Sequence, residues 1–196
     1  MAATKDLSKK RPTAKGPQIY TLGHSNRSIE EFIDILKTQK LKLVVDVRKI
    51  PRSRHNPHFG AIELANSLRR KNIEYIYLPE LAGRRPSKKD SINTAWRNSS
   101  FRAYADHMQT EEFGRGIKHL VSLSKRKRLA IMCAEAVPWR CHRRLIADAL
   151  LVQGHVVLDI FTKSTVREHL ITPFARVRKG KMVTYPATKK RNRRTL

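Results

Sequence analysis

The stretch 128-RLAIMCAEAVPWRCHRRLIADALLVQGHVVLDI-160 decides the fold. RLAIMC (128–133) and HVVLDI (155–160) are near-continuous apolar runs. A strand with one face in water alternates apolar and polar residues, so a continuous run predicts a strand covered on both faces. Between them, Cys141 to Gln153 has helical spacing and stops at Gly154, the residue that most easily takes the left-handed turn after a helix. Strand, helix and strand in that order predict parallel pairing.

The same alternation runs outward through the chain. IYTL (19–22) reads as a strand, and Ser28 with Glu31 forms a capping box that opens a helix over 28–39, striped by Ile29, Phe32, Ile33, Ile35 and Leu36. LKLVVDV (41–47) and EYIYL (74–78) are further strands, separated by a helix over 61–71. A helical region from Phe101 to Ser124 is expected to break at Gly114 or Gly116, and HVVLDI is the last clear strand. Residues 84–100 lack periodicity and predict a surface loop or mobile lid. The expectation is one three-layer α/β domain with a largely parallel sheet and helices on both faces.

Ligands in open α/β sheets bind beyond the carboxyl ends of the strands. The segments that follow the strands are 23-GHSNRS-28, 46-DVRKIPRSRHNPHFG-60, 79-PELAGRRPS-87 and 133-CAEAVPWRCHRR-144. The chemically distinctive side chains all fall there, so the site is expected at that edge.

Charge narrows the partner. The 196 residues carry 42 Lys plus Arg against 16 Asp plus Glu, a net charge of +26. Residues 1–17 hold five basic groups and one acid, and residues 176–196 hold nine basic groups and no acid. The body, 18–175, still keeps 28 basic groups against 15 acids. A disordered basic arm (1–17), the α/β body and a basic tail (176–196) are the expected divisions. A polyanion is the natural partner, and nucleic acid, DNA before RNA, the expected one. Two cysteines do not make a disulfide scaffold, no apolar run approaches a membrane span, and the N-terminus lacks a secretory apolar segment. A cytoplasmic, nucleoid-associated location is the corresponding expectation.

Five motifs carry a family resemblance: GHSN (23–26), DVR with PRSR and PHF (46–59), LPELAGRR (78–85), FRAYADHM (101–108) and CAEAVPWRCHR (133–143). From about Tyr20 to Ile160 the chain resembles the bacterial and archaeal family called domain of unknown function 488. The family usually has Gly at the place of Ala82 and often Asp at that of Val137. The resemblance implies an α/β fold with a site at the sheet edge and implies no particular reaction.

The loops admit three chemistries. Cys141 at a helix start, beside Arg140, His142 and Arg143, is a candidate nucleophile with a depressed thiol pKa, while Cys133 reads as a small buried apolar residue. Zinc held by Cys133, Cys141 and His142, with His24 or His58, is a second reading, weakened because adjacent Cys141 and His142 are expected to project in different directions. No cofactor is the expectation. The third reading makes Asp46 and Glu135 the acid–base groups, supported by His142, with Cys141 nearby. Around them His24, Asn26, Arg48, Arg52, Arg54, His58, Arg84, Arg85, Arg140 and Arg143 would bind nucleic acid, the arginines through bidentate phosphate contacts. Phe59, Tyr77, Trp96 and Trp139 offer rings for base stacking, with Trp139 as a lid. The third reading makes the protein a hydrolase of DNA-repair type, acting on the N-glycosidic bond of a damaged base. A nuclease is disfavoured by the lack of a carboxylate cluster for Mg²⁺, and nucleotide hydrolysis by the lack of a Gly-rich phosphate loop. A thiol-dependent sulfur-transfer or redox enzyme and a non-catalytic DNA- or RNA-binding module remain the alternatives.

Overall fold

A computed structural model of the chain describes residues 17–52 and 55–187. β1 (Gln18–Gly23), β2 (Leu43–Asp46), β3 (Glu74–Tyr77), β4 (Leu129–Cys133) and β5 (Val156–Ile160) pair in parallel, and β6 (Val166–Glu168) adds antiparallel to β5. The order is β3-β2-β4-β1-β5-β6. β4 and β1 lie innermost, and both are buried along nearly their whole length, which is why their sequences do not alternate.

Alternate residues of these strands serve two cores. Ile19, Leu43, Val45, Leu129 and Ile131 face α3 (Ser99–His107), α4 (Glu111–Arg126) and α5 (Arg143–Val152). Tyr20, Leu22, Val44, Ala130 and Met132 face α1 (Ile29–Thr38) and α2 (Ala61–Arg69). The result is the three-layer α/β domain expected from the alternation of elements. Ser28 caps α1 as the capping box requires, accepting a hydrogen bond from the Glu31 N–H.

Four local readings are corrected. The helical region breaks at Met108–Thr110, where Thr110 caps a new helix and accepts from the Phe113 N–H; Gly114 and Gly116 lie inside α4. Gly116 is tolerated there because a Cβ would meet Leu81 and Glu80 at 2.8–2.9 Å, so its smallness lets the helix approach. HVVLDI is not the last strand, since β6 follows it. The 84–100 segment is no free lid, because Asn93 is fully buried and donates to Asp106 Oδ1 at 2.7 Å, and Trp96 stacks on Phe101 at 4.8 Å between ring centres. The expected basic tail begins too early: β7 (Arg176–Arg178) and β8 (Met182–Thr184) form a hairpin that brings Val183 and Tyr185 into the core. The expected N-terminal arm lies, apart from Pro17, outside the described residues.

Tyr185 ties the hairpin to a buried polar network. Its hydroxyl donates to Asp148 Oδ2 at 2.7 Å and its N–H donates to Asn93 Oδ1 at 2.8 Å. His169 bridges Asp148 Oδ1 (3.2 Å) and Asp159 Oδ2 (2.7 Å), and the Thr21 hydroxyl donates to Asp159 Oδ1 at 2.7 Å. Burial alone would lower the His169 pKa, but the hydrogen bonds and charges of the two aspartates outweigh it and raise it to about 9. Because the folded value exceeds the unfolded one, this stabilisation is complete below pH 6.5 and is lost as the pH rises through about 9. The shift corresponds to roughly 3 kcal/mol. Denaturant unfolding across this range should therefore show stability declining with pH in the wild type and a flatter profile in His169→Gln. Tyr185→Phe should cost about 1–3 kcal/mol, by leaving Asp148 Oδ2 without its donor. Tyr185→Ala should cost more, through the added cavity. Thermal denaturation orders the two variants, and equal costs would remove the hydroxyl from the account.

Candidate functional site

At the carboxyl ends of β1, β2, β3 and β4 the loops enclose a cleft of about 1040 Å³. It receives His24 from the loop after β1, Arg48, Lys49, Ile50, Arg52 and His55 from that after β2, and Gly83 and Arg84 from that after β3. Cys133, Ala134, Glu135, Arg140, Cys141 and His142 come from the loop after β4, and Ser100, Phe101 and Tyr104 from α3. Five of these residues are cationic and one is a carboxylate. A second depression, of about 320 Å³ and lined by Pro17, Gln18 and residues 124–128, offers no cysteine, histidine or acid.

The floor is made of sulfur and imidazole. Cys133 ends β4, while Cys141 follows the 3-10 turn Pro138–Arg140, in extended conformation two residues before α5. His142 Nδ1 lies 3.9 Å from Cys133 Sγ and 3.7 Å from Cys141 Sγ. Its Nε2–H donates to the Val47 carbonyl at 3.0 Å, which fixes the ring and turns Nδ1 toward the sulfurs. Adjacent Cys141 and His142 therefore converge, contrary to expectation. They precede the regular helix, where side-chain directions do not fan out at 100° intervals. His142 does not support Glu135, since both its nitrogens are engaged elsewhere.

Arg143 lies beneath this floor with no exposed surface. Its Nε donates to Cys141 Sγ at 3.4 Å, as does its backbone N–H at 3.5 Å, while Nη2 donates to the Glu135 carbonyl (2.5 Å) and Nη1 to Thr21 Oγ1 (3.3 Å). Burial alone would raise the Cys141 pKa; a hydrogen bond from Cys133, the Arg143 guanidinium and His142 outweigh it and hold the thiol well below its usual value. The Cys133 thiol is pushed up, first by its hydrogen bond to Cys141 and then by burial. The two thiols are thus driven in opposite directions, Cys141 toward the ionised form and Cys133 toward the protonated one.

The wall beside the floor is set by a second arginine. Asp46, fully buried, receives the Arg48 Nε (3.0 Å), Nη2 (2.6 Å) and N–H (2.9 Å), and the Tyr75 hydroxyl at 2.7 Å. Arg48 Nη1 then approaches His24 Nε2 at 3.4 Å, while His24 Nδ1–H donates to the Ser25 carbonyl at 2.8 Å and its ring stacks on Phe59. Burial, chiefly, lowers the His24 pKa to about 4, so near neutral pH the ring is an uncharged acceptor.

The expected site residues divide accordingly. His24, Arg48, Arg52, Arg84, Glu135, Arg140, Cys141 and His142 meet in the cleft. Asp46 is corrected from a chemical group to the anchor of Arg48, because its oxygens are already occupied. Arg143 is too buried to meet a phosphate, and Arg85 is pinned to the carbonyls of Pro79, Glu80 and Ala82 and to Glu112. Phe59 is core, and His58 bonds the Arg27 carbonyl. Asn26 is exposed beside Ser25, outside the cleft lining. Trp139 is exposed but packs toward Phe161 at 5.8 Å, so it is no lid over the cleft. Arg54 lies outside the described residues. The cleft aromatics are instead Phe101 and Tyr104, missed because both sit at ordinary core-facing positions of a helix.

Five parallel strands, two packed cores and a cationic, thiol-floored cleft beyond the strand ends define an α/β protein with a ligand site at its sheet edge. Within that class, the family model for Domain of unknown function DUF488 matches residues 28–150, more than half of the chain, and the chain belongs to that family. Comparison with curated proteins and with solved structures gives no match. Among the described residues, no helix is long and apolar enough to cross a membrane.

Gly83 is what lets the His142 ring sit where it does. A Cβ there would stand 2.7 Å from His142 Nδ1 and 2.9 Å from its Cε1. Gly83→Ala should displace the ring and cost about 1–3 kcal/mol through overpacking, read by urea unfolding. An unchanged stability with an unchanged His142 NMR signal would contradict this packing.

Proposed function

We propose that this protein is a hydrolase acting on nucleic acid, DNA by preference, that takes a base or nucleotide into the cleft and cleaves an N-glycosidic bond. The observation that carries the reading is the pairing of a cationic rim with one unengaged carboxylate. Lys49, Arg52, Arg84 and Arg140 surround the opening above the buried Arg48, while among the described residues nothing pairs with the Glu135 side chain. A strand of phosphates meets the arginines, and the cleft volume suits a nucleotide rather than a macromolecular domain. Phe101, partly exposed, supplies a ring at the wall against which a base can stack.

Glu135 then acts as the general base. It takes a proton from water as the water oxygen bonds to the sugar carbon and the carbon–nitrogen bond breaks; the departing base takes up a proton from solvent, and Glu135 later returns its own to solvent. His24, uncharged and held by Ser25 and Arg48, is an orienting group at the same wall. Support for nucleic acid comes from the basic body, whose excess charge persists when the tails are set aside.

Variants separate binding from chemistry. Arg84→Ala and Arg140→Ala should weaken binding of any oligonucleotide several-fold and make its dependence on salt shallower by about one unit of log–log slope each. Glu135→Gln should leave binding intact and lower turnover by about 100-fold or more on a lesion-bearing oligonucleotide panel read by mass. Full turnover in Glu135→Gln removes the residue from the mechanism. Binding without product from any lesion leaves a recognition module in place of the enzyme.

A further inference from the structure

We infer that Cys133, Cys141 and His142 form a three-ligand site for zinc or a similar borderline-soft divalent ion, with the fourth position open to the cleft. The three donor atoms lie within 4.8 Å of one another. Around tetrahedral zinc, with metal–sulfur bonds of about 2.3 Å and metal–nitrogen bonds of about 2.1 Å, donor atoms stand about 3.6–3.8 Å apart. The sulfur-to-nitrogen edges are the shorter of these, about 3.6 Å, and the observed separations of 3.7 and 3.9 Å lie within about 0.3 Å of them.

The surroundings are those of a ligating set. The His142 Nε2–H donates to the Val47 carbonyl, which leaves Nδ1, aimed at the sulfurs, as the ring atom able to ligate. An outer hydrogen bond of this kind orients a metal-bound imidazole and raises its basicity. Two N–H donors of Arg143 reach Cys141 Sγ, as suits a sulfur that carries negative charge. All three ligand residues line the cleft. Two thiolates and one imidazole leave zinc one coordination position short, and the free position faces the cavity that holds Glu135 and His24. Closed structural zinc sites have four protein ligands; this one has three. On binding, any proton still held by either sulfur passes to solvent and both sulfurs become ligands.

The site stands on these three side chains and not on the choice of substrate. Its test accordingly uses no substrate. The full-length protein, freed of metal and kept reduced with a non-chelating phosphine, is titrated with cobalt(II). One equivalent should bind and give thiolate-to-cobalt charge-transfer bands together with the intense visible bands of tetrahedral cobalt, and zinc should displace it. Cys133→Ser, Cys141→Ser and His142→Ala should each weaken cobalt binding by at least about 10–100-fold, while His58→Gln, outside the cleft, should not. His142→Cys should retain binding, with charge-transfer intensity higher by about half as three thiolates replace two. Loss of fold in a single variant does not decide the matter, because the wild-type titration carries the stoichiometry and the His142→Cys spectrum carries the ligand identity. Reduced wild type that takes up no cobalt overturns the site, as does binding that survives in the Cys133→Ser/Cys141→Ser double variant. A positive titration beside a protein inactive on every oligonucleotide would keep the metal site and sink the glycosidic reading; the reverse result would do the opposite.

Discussion

Everything at the sheet edge is arranged around one buried positive charge. Arg143 has no exposed surface, and among the described residues no carboxylate pairs with it. An isolated guanidinium in the interior is expensive unless its donors are all met and a negative partner stands near. The chain meets the donors with a backbone carbonyl, a threonine hydroxyl and a cysteine sulfur. Gly23 is the only residue that allows it, since a Cβ there would collide with the Glu135 carbonyl at 1.8 Å and with Nη2 of Arg143 at 2.9 Å. With the Cys133 hydrogen bond, the charge lowers the Cys141 pKa, and it reaches further: through Thr21 and Asp159 it connects to the His169–Asp148–Tyr185 network.

The two central arginines are handled in opposite ways. Arg48 is matched by Asp46 through three side-chain contacts and becomes a rigid strut, with one nitrogen left to hold His24. Arg143 is matched only by weaker acceptors and so transmits its charge to sulfur. The rim arginines form a third group: Arg52, Arg84 and Arg140 are exposed and free to follow a ligand. A cleft built this way has a fixed floor and wall with an adaptable mouth.

The fold was legible because strands buried on both faces cannot alternate, and LVVD and LAIMC do not. The site's position was legible too, since the sheet edge gathers residues that no helix surface needs. What resisted reading was direction. Asp46 and Glu135 look alike as acids at strand ends, yet one is consumed by an arginine two residues on while the other is left exposed. Trp139 is conspicuous in the sequence and turns away from the cleft; Phe101 is inconspicuous and turns toward it. The meeting of Cys141 and His142 depends on an extended residue after a 3-10 turn, a backbone detail that spacing alone does not encode. The β7–β8 hairpin was hidden by charge, because RVRKGK reads as tail and its apolar part is limited to Val183 and Tyr185.

Tyr185 gives the fold an order of assembly. Asp148 sits on α5 and is fully buried, yet its second oxygen is satisfied only by a residue 37 positions later in the chain, and the same residue closes Asn93 from 92 positions away. During synthesis the strands and helices that build the thiol floor emerge first and must wait with a buried carboxylate half-paired. The interior behind the cleft is thus closed only once residue 185 has been made, and a nascent chain stalled short of it holds an unfinished interior.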